Sequence, residues 1–325
     1  MKVLVTGGSG YVGRVLCRRL LPGHELHVLD SFRFGRSRFA AEEAAGARVH
    51  ACDLGEAQAV SDCLGRVAPD AVIHLAAVHY IPECEADPRR ALATNVTGTV
   101  NLLSACPAGS RVIVMSSAAV YEPSERPHRE SDPTVQQPVD MYGLTKLHCE
   151  SYTRYFARER DFSALLVRLF NVVGPGETNP HLVPEIVAQA LTGKNTLALG
   201  NITPKRDFIH VEDVAEGLDR LLLAPTVARR EAAVLNLGTG RSHSVEELVA
   251  MLAAIAGRDI SIETDPARVR AVDRPHLCAD TTQLEHALGW KPTRSLADAI
   301  LDLWKSRDLP TSLLERYAEN FPEPE

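Results

Sequence analysis

No stretch of eighteen apolar residues occurs in this chain of 325, and a helix able to span a membrane needs about that many. A membrane partner is therefore not expected. The opening Met1-Lys2-Val3-Leu4-Val5-Thr6 reads as a strand and lacks the basic start and apolar run of a signal peptide, so a cytoplasmic location is expected. Excess positive charge is missing as well: 35 Lys and Arg stand against 42 Asp and Glu, for a formal net charge of -7. That balance leaves no electrostatic footprint for nucleic acid or an anionic surface. The seven cysteines, at 17, 52, 63, 84, 106, 149 and 278, never form a CxxC pair. Neither a disulfide framework nor a metal site is expected from them, and most read as buried thiols. Internal repeats and low-complexity tracts are also absent, which sets aside solenoid and disordered architectures.

What is present is the material of a folded core. Hydrophobic residues make up 45% and charged residues 24%, near the average for soluble globular proteins. At roughly 150 residues per domain, the length suggests two domains, or one large α/β unit with an appended lobe. Short apolar runs recur at Val3–Thr6, Leu26–Asp30, Arg48–Ala51, Ala71–Ala77, Arg111–Ser116, Ala164–Phe170 and Val234–Gly238, most of them separated by helix-length amphipathic stretches. This alternation predicts βαβ units and a parallel sheet. Runs such as Val112-Ile113-Val114-Met115 are continuously apolar, as strands buried on both faces should be. The expected fold class is α/β, a doubly wound parallel sheet. After Phe170 the turn-rich Asn171-Val172-Val173-Gly174-Pro175-Gly176 and shorter elements mark a smaller C-terminal lobe.

Two groups of residues carry chemistry. Thr6-Gly7-Gly8-Ser9-Gly10-Tyr11-Val12-Gly13 follows the first strand and opens a helical stretch. Gly7, Gly10 and Gly13 fall where a backbone approaches a pyrophosphate, and the helix start at Tyr11 and Val12 offers N–H groups and a positive dipole end; an ordinary tight turn also uses glycine. Asp30 ends the second strand, where a carboxylate accepts hydrogen bonds from a ribose 2′-OH and repels a 2′-phosphate, so NAD is favoured over NADP. Arg33, Arg36 and Arg38, just beyond, could instead clasp a 2′-phosphate, or form a solvated basic loop. Tyr142 and Lys146 lie four apart at the start of an amphipathic helix and so share a face. An ammonium beside a phenol favours the phenolate, lowering a tyrosine pKa from about 10 toward the working pH, as a general base for a sugar or alcohol hydroxyl requires; the same spacing also arises by chance on many helix faces.

With Cys52-Asp53-Leu54, Leu75-Ala76-Ala77 and Ser116-Ser117-Ala118-Ala119-Val120-Tyr121, these motifs come in the order and spacing of the extended short-chain dehydrogenase/reductases. The chain resembles the NAD-dependent epimerase/dehydratase family, whose members act on nucleotide sugars. The resemblance continues through Arg168-Leu169-Phe170-Asn171, Lys205-Arg206-Asp207-Phe208-Ile209-His210 and Arg274-Pro275. It implies a Rossmann fold with residues 1–170 as the dinucleotide-binding domain, joined by returning segments about 205–240, and with 171–204 and 241–325 as the substrate-binding lobe. It makes Tyr142 the base, Lys146 the ligand of the nicotinamide ribose, and Ser117 the partner that shares the proton with the substrate. Asp53 and Leu54 would contact the adenine, while Leu75, Ala76, Ala77 and Asn95 would line the cofactor cleft. Asn171, Arg206 and Arg274 match positions that contact the substrate diphosphate, a role suited to guanidinium groups. A homodimer built from helices near 88–106 and 140–160 is also implied.

The departures from the family pattern narrow the activity. Dehydratases of this family carry an Asp-Glu pair where this chain has Ala118 and Ala119, and methyl groups transfer no protons. A nucleotide-sugar epimerase acting at C4 with retained NAD is the leading expectation; a 4-keto-sugar reductase stays open, and a non-catalytic dinucleotide sensor is the third class. Met141 replaces the more usual proline before the tyrosine. Val78-His79-Tyr80-Ile81-Pro82-Glu83-Cys84 replaces small and polar residues that face the sugar, making His79 a candidate substrate contact. Cys84 is a candidate for the same pocket, with an inert core thiol as the alternative.

Overall fold

The computed structural model describes residues 1–33, 46–136, 138, 140–224, 227–269 and 274–317. Arg36 and Arg38 of the basic segment, and the tail beyond 317, lie outside the described residues. Seven parallel strands form the main sheet: β1 (Lys2–Thr6), β2 (Glu25–Asp30), β3 (Arg48–Ala51), β4 (Ala71–His74), β5 (Arg111–Ser117), β6 (Ser163–Leu169) and β10 (Ala232–Leu237). Their spatial order is β10-β6-β5-β4-β1-β2-β3, the doubly wound arrangement, and each corresponds to one of the seven apolar runs in the sequence. The strand at the run Ala71–Ala77 ends at His74, with a last bond from Leu75 N to Thr6 O at 3.1 Å.

Successive side chains on a strand point to opposite faces, and here both faces are covered. Val3, Val5, Ile73, Ile113 and Leu165 pack with Val15, Leu16, Val214, Leu218 and Leu221 from the helices Tyr11–Leu20 and Val211–Leu223. Leu4, Val72, Val112, Val114 and Leu166 pack the other way, on Val60, Leu64, Leu102 and Leu103 of the helices Ala57–Val67 and Gly98–Ala105. The direction of winding reverses between β1 and β4 while the strands stay parallel, and that crevice at the carboxyl ends of the strands is where ligands of such sheets bind.

A third apolar core belongs to the later part of the chain, where the helices Leu182–Leu191, Val245–Ala256 and Leu296–Ser306 pack together through Ile186, Val187, Leu248, Leu252, Ile300 and Leu303. Beside it lie two small sheets. One joins β7 (Asn171–Val173), β9 (Lys205–His210), β11 (Ser242–His243) and β13 (His276–Leu277); the other pairs β8 (Thr196–Leu199) with β12 (Ser261–Thr264). Within residues 205–240, β9 hydrogen-bonds in the smaller sheet, while the helix Val211–Leu223 packs on the main sheet and β10 pairs with β6. Among the described residues no helix is long and apolar enough to cross a membrane.

Candidate active site

The glycine turn is shaped by contacts that leave no room for side chains. Gly7 has φ of +70°, and a Cβ there would come 2.8 Å from the Ala76 backbone; at Gly13 it would meet Gly7 O at 2.1 Å. The turn thus closes on itself and on the end of β4, and the Tyr11–Leu20 helix begins at Gly10 with no side chain capping it. Its first N–H groups and dipole open into the crevice, a ready site for an anion. Tyr11 anchors the helix start by donating from its buried hydroxyl to Gly174 O at 3.0 Å. Asp30 is held against the turn: its carboxylate accepts from Ser9 N at 3.0 Å and from Phe32 N at 2.8 Å. Asp53 caps its own loop, accepting from Gly55 N at 2.8 Å, and Leu54 is buried against Gly98.

Gly7, Gly10, Tyr11, Val12, Gly13, Asp30, Asp53, Leu54, Leu75, Ala76 and Ala77 all border one cleft of about 1150 Å³, which also reaches Ser117, Tyr142 and Lys146. A small-molecule pocket is roughly 300–1,000 Å³, so this cleft has room beyond a single modest ligand. Asn95 does not line it. It is buried behind the wall, where its amide Oδ1 accepts from Val78 N at 2.7 Å while Nδ2 donates to Val78 O at 2.9 Å and to Thr145 Oγ1 at 3.0 Å. A π-helical turn, Leu92–Thr97, presents Asn95 for this task, so the residue braces the cleft instead of contacting its contents.

Ser117 ends β5, and Tyr142 and Lys146 begin the Met141–Arg160 helix, which starts where Asp140 accepts from Gly143 N at 2.6 Å. Ser117 Oγ accepts from Ala119 N at 3.1 Å and is hydrogen-bonded to Tyr142. Lys146 is buried, its Nζ donates to Met115 O at 2.8 Å, and it stands 5.7 Å from the Tyr142 ring centre. The expected downward shift of Tyr142 is not what this geometry produces. Burial pushes the phenol pKa above its ordinary value, and the Ser117 hydrogen bond only partly offsets that rise. The lysine's charge is itself disfavoured by burial and is turned toward a backbone carbonyl. The end of β5 is fixed from below by a buried ion pair: Arg168 Nε and Nη2 donate to Glu150 at 2.8 and 2.9 Å, and Ser116 Oγ adds a bond of 2.7 Å.

On the other side of the cleft boundary stand Asn171 at the start of β7, Arg206 in β9, Arg274 and His79. Arg274 donates to Tyr121 O at 2.7 Å and Ala119 O at 2.6 Å, which ties it to the turn after Ser117; Arg206 donates to Lys205 O at 2.9 Å. Cys84 lies outside the lining. It is fully buried, donates to Val78 O at 3.4 Å, and burial raises its pKa to about 11, the state of an inert thiol. Glu177, Asn179, His181, Arg268 and Arg316 also border the cleft and were missed in the sequence. They fall in irregular segments or late helices whose spacing to the other motifs carries no signal.

A glycine turn with no room for Cβ atoms, an uncapped helix start and a carboxylate beside both are the features a dinucleotide requires, so the residues present fit one. Comparison with known proteins agrees. The model of the NAD dependent epimerase/dehydratase family matches residues 3–238. The chain is 32% identical over 319 residues to the GDP-6-deoxy-D-mannose reductase of Pseudomonas aeruginosa, covering 94% of this chain and 98% of that protein. It is 33% identical over 322 residues to a UDP-glucose 4-epimerase of Streptomyces lividans, covering 94% and 95%. The solved UDP-glucose 4-epimerase of Thermus thermophilus in complex with NAD is similar with a TM-score of 0.79 at 27% identity, over 94% of this chain and 98% of that one.

Proposed function

The chain belongs to the NAD dependent epimerase/dehydratase family, and from that premise we propose that it inverts C4 of a nucleotide sugar by transient oxidation with retained NAD. The observation that carries this reading is the meeting of Ser117, Tyr142 and Lys146 with Arg206 and Arg274 around one cleft, with only methyl groups at Ala118 and Ala119. Bound NAD supplies the hydride acceptor and, once reduced, the hydride donor. Tyr142 Oη takes the proton of the C4 hydroxyl as the sugar is oxidised and returns it when the 4-keto sugar is reduced from its other face. Ser117 shares that proton through its hydrogen bond to Tyr142. Lys146 binds the nicotinamide ribose, the turn of Gly7, Gly10 and Gly13 the pyrophosphate, Asp30 the adenosine ribose, and Asp53 and Leu54 the adenine. Asn171, Arg206 and Arg274 take the substrate diphosphate, and His79 the sugar. A cytoplasmic homodimer completes the proposal, supported by a stripe of exposed Leu144, Tyr152 and Tyr155 on the Met141–Arg160 helix.

A 4-deuterated UDP-sugar incubated in ordinary water should give an epimer that keeps deuterium at C4. Loss of the label would mean proton exchange and would end the transient-oxidation mechanism. The likeness to a GDP-sugar reductase favours one second reading, reduction of a 4-keto sugar. Stoichiometric consumption of NAD(P)H would identify it, whereas an epimerase turns over many times on catalytic NAD.

A further inference from the structure

Two imidazoles and a carboxylate with no part in the proton and hydride transfers above converge on the same cleft. The donor atoms of His79, Glu177 and His181 all lie within 4.8 Å of one another, and His79 Nε2 is 3.8 Å from Glu177 Oε1. At metal–donor bonds of about 2.0–2.2 Å, tetrahedral donor atoms sit about 3.4 Å apart, so shifts of less than about an ångström per donor close the set. The set is held from behind. Glu177 is only 5% exposed, and its Oε1 accepts from Thr178 N at 2.7 Å and Asn179 N at 3.1 Å, which orients the carboxylate. His181 N–H donates to Asn179 O at 2.8 Å, and its ring stacks on His79 at 5.7 Å and meets Tyr80 edge-on at 5.3 Å. A carboxylate this buried needs cationic charge beside it, and the groups set against it are the two imidazoles, with His79 at 3.8 Å.

We infer that His79, Glu177 and His181 form a divalent-cation site for Zn²⁺ or a similar borderline ion, its remaining coordination position open to the cleft. Two imidazoles and one carboxylate are a donor set that Zn²⁺ takes, and all three residues border the cleft, which is the arrangement of a site with a free position. Asn179 Nδ2, now 3.2 Å from His79 Nε2, gives up that nitrogen to the ion. On the nucleotide-sugar reading proposed above, the open position takes a sugar oxygen, so that His79 meets the sugar through the ion; the ion site itself does not depend on that reading. Cysteine spacing held no hint of it, because the donors are not thiols and come from segments far apart in the chain.

Co²⁺ titrated into the full-length, tag-free and metal-stripped protein tests this without turnover. One equivalent should bind and give visible d–d bands of tetrahedral coordination. His181→Ala and His79→Gln should each weaken binding by at least roughly tenfold, with NAD binding by calorimetry unchanged as the check on folding. Adding UDP-glucose should shift the bands; unchanged bands in a protein that epimerises the same sugar would remove the sugar oxygen from the site. Failure to bind one equivalent, or binding indifferent to both histidine variants, would show adventitious surface sites and overturn the inference, leaving the epimerase reading untouched.

Discussion

Tyr142 is held by Ser117 and half-buried beside a lysine that points to Met115 O, so in the free chain the phenol is a poor base. NAD held in the cleft would supply, in its oxidised form, a cationic ring, and a positive charge near the phenol would favour the phenolate against the burial that raises its pKa. Tyr142→Phe keeps the packing and deletes the proton carrier, and turnover should fall by roughly two to four orders of magnitude with NAD affinity nearly unchanged. Lys146→Ala should damage both turnover and NAD binding, a split that steady-state kinetics and calorimetry resolve. Asp30 illustrates a second residue-scale effect: on the proposed reading its carboxylate faces the adenosine ribose, where a 2′-phosphate would bring more negative charge. NAD should bind more tightly than NADP, and Asp30→Ala should narrow that gap. Apoprotein that binds NADP ten-fold tighter, about 1.4 kcal/mol, would reverse the assignment.

At the scale of elements, the site depends on braces that never touch a ligand. The Glu150–Arg168 pair joins the Met141–Arg160 helix to β6, and Ser116 brings β5 into the same network. Removing one partner from a buried pair leaves an uncompensated charge, so Glu150→Gln should cost about 3–5 kcal/mol in chemical denaturation. Asn95 performs a similar joining of the Val78 segment to the same helix. Asn95→Ala should cost about 1–3 kcal/mol, the penalty for stranding Val78's polar groups, while leaving NAD affinity close to that of the parent once folded.

For the molecule as a whole, acid stability follows from His74. It is buried between Thr6 Oγ1 at 2.7 Å and Thr99 Oγ1 at 2.8 Å, and burial, with Lys146 nearby, pushes its pKa down to about 3. The unfolded chain binds a proton near pH 6.5 and the folded chain does not, so stability should decline as pH falls from about 6.5 toward 3. The slope approaches about 1.4 kcal/mol per pH unit for one proton. Denaturation midpoints at pH 4, 5 and 7 check this, and His74→Gln should flatten that portion of the curve. Assembly is a separate matter. Tyr152→Glu with Tyr155→Glu puts charge on the exposed stripe of the Met141–Arg160 helix; on the proposed homodimer, light scattering should report a dimer for the parent chain and a monomer for this variant.

All seven strands of the main sheet, the glycine turn and the Tyr142–Lys146 spacing were readable from local pattern. Parallel strands buried on both faces must be apolar throughout, a backbone crowded to 2.1 Å at Gly13 admits only glycine, and four residues on a helix return to one face. Long-range packing set the rest. Lys146 and Tyr142 share a face as their spacing requires, but whether burial or charge governs the phenol depends on what surrounds it, and that is contributed by β5 and its neighbours. Asn95 looked like a cleft residue because sequence order cannot show which side of a wall an amide occupies. His79, Glu177 and His181 carry no common periodicity; they meet because the fold sets the segment after β4 beside the one after β7.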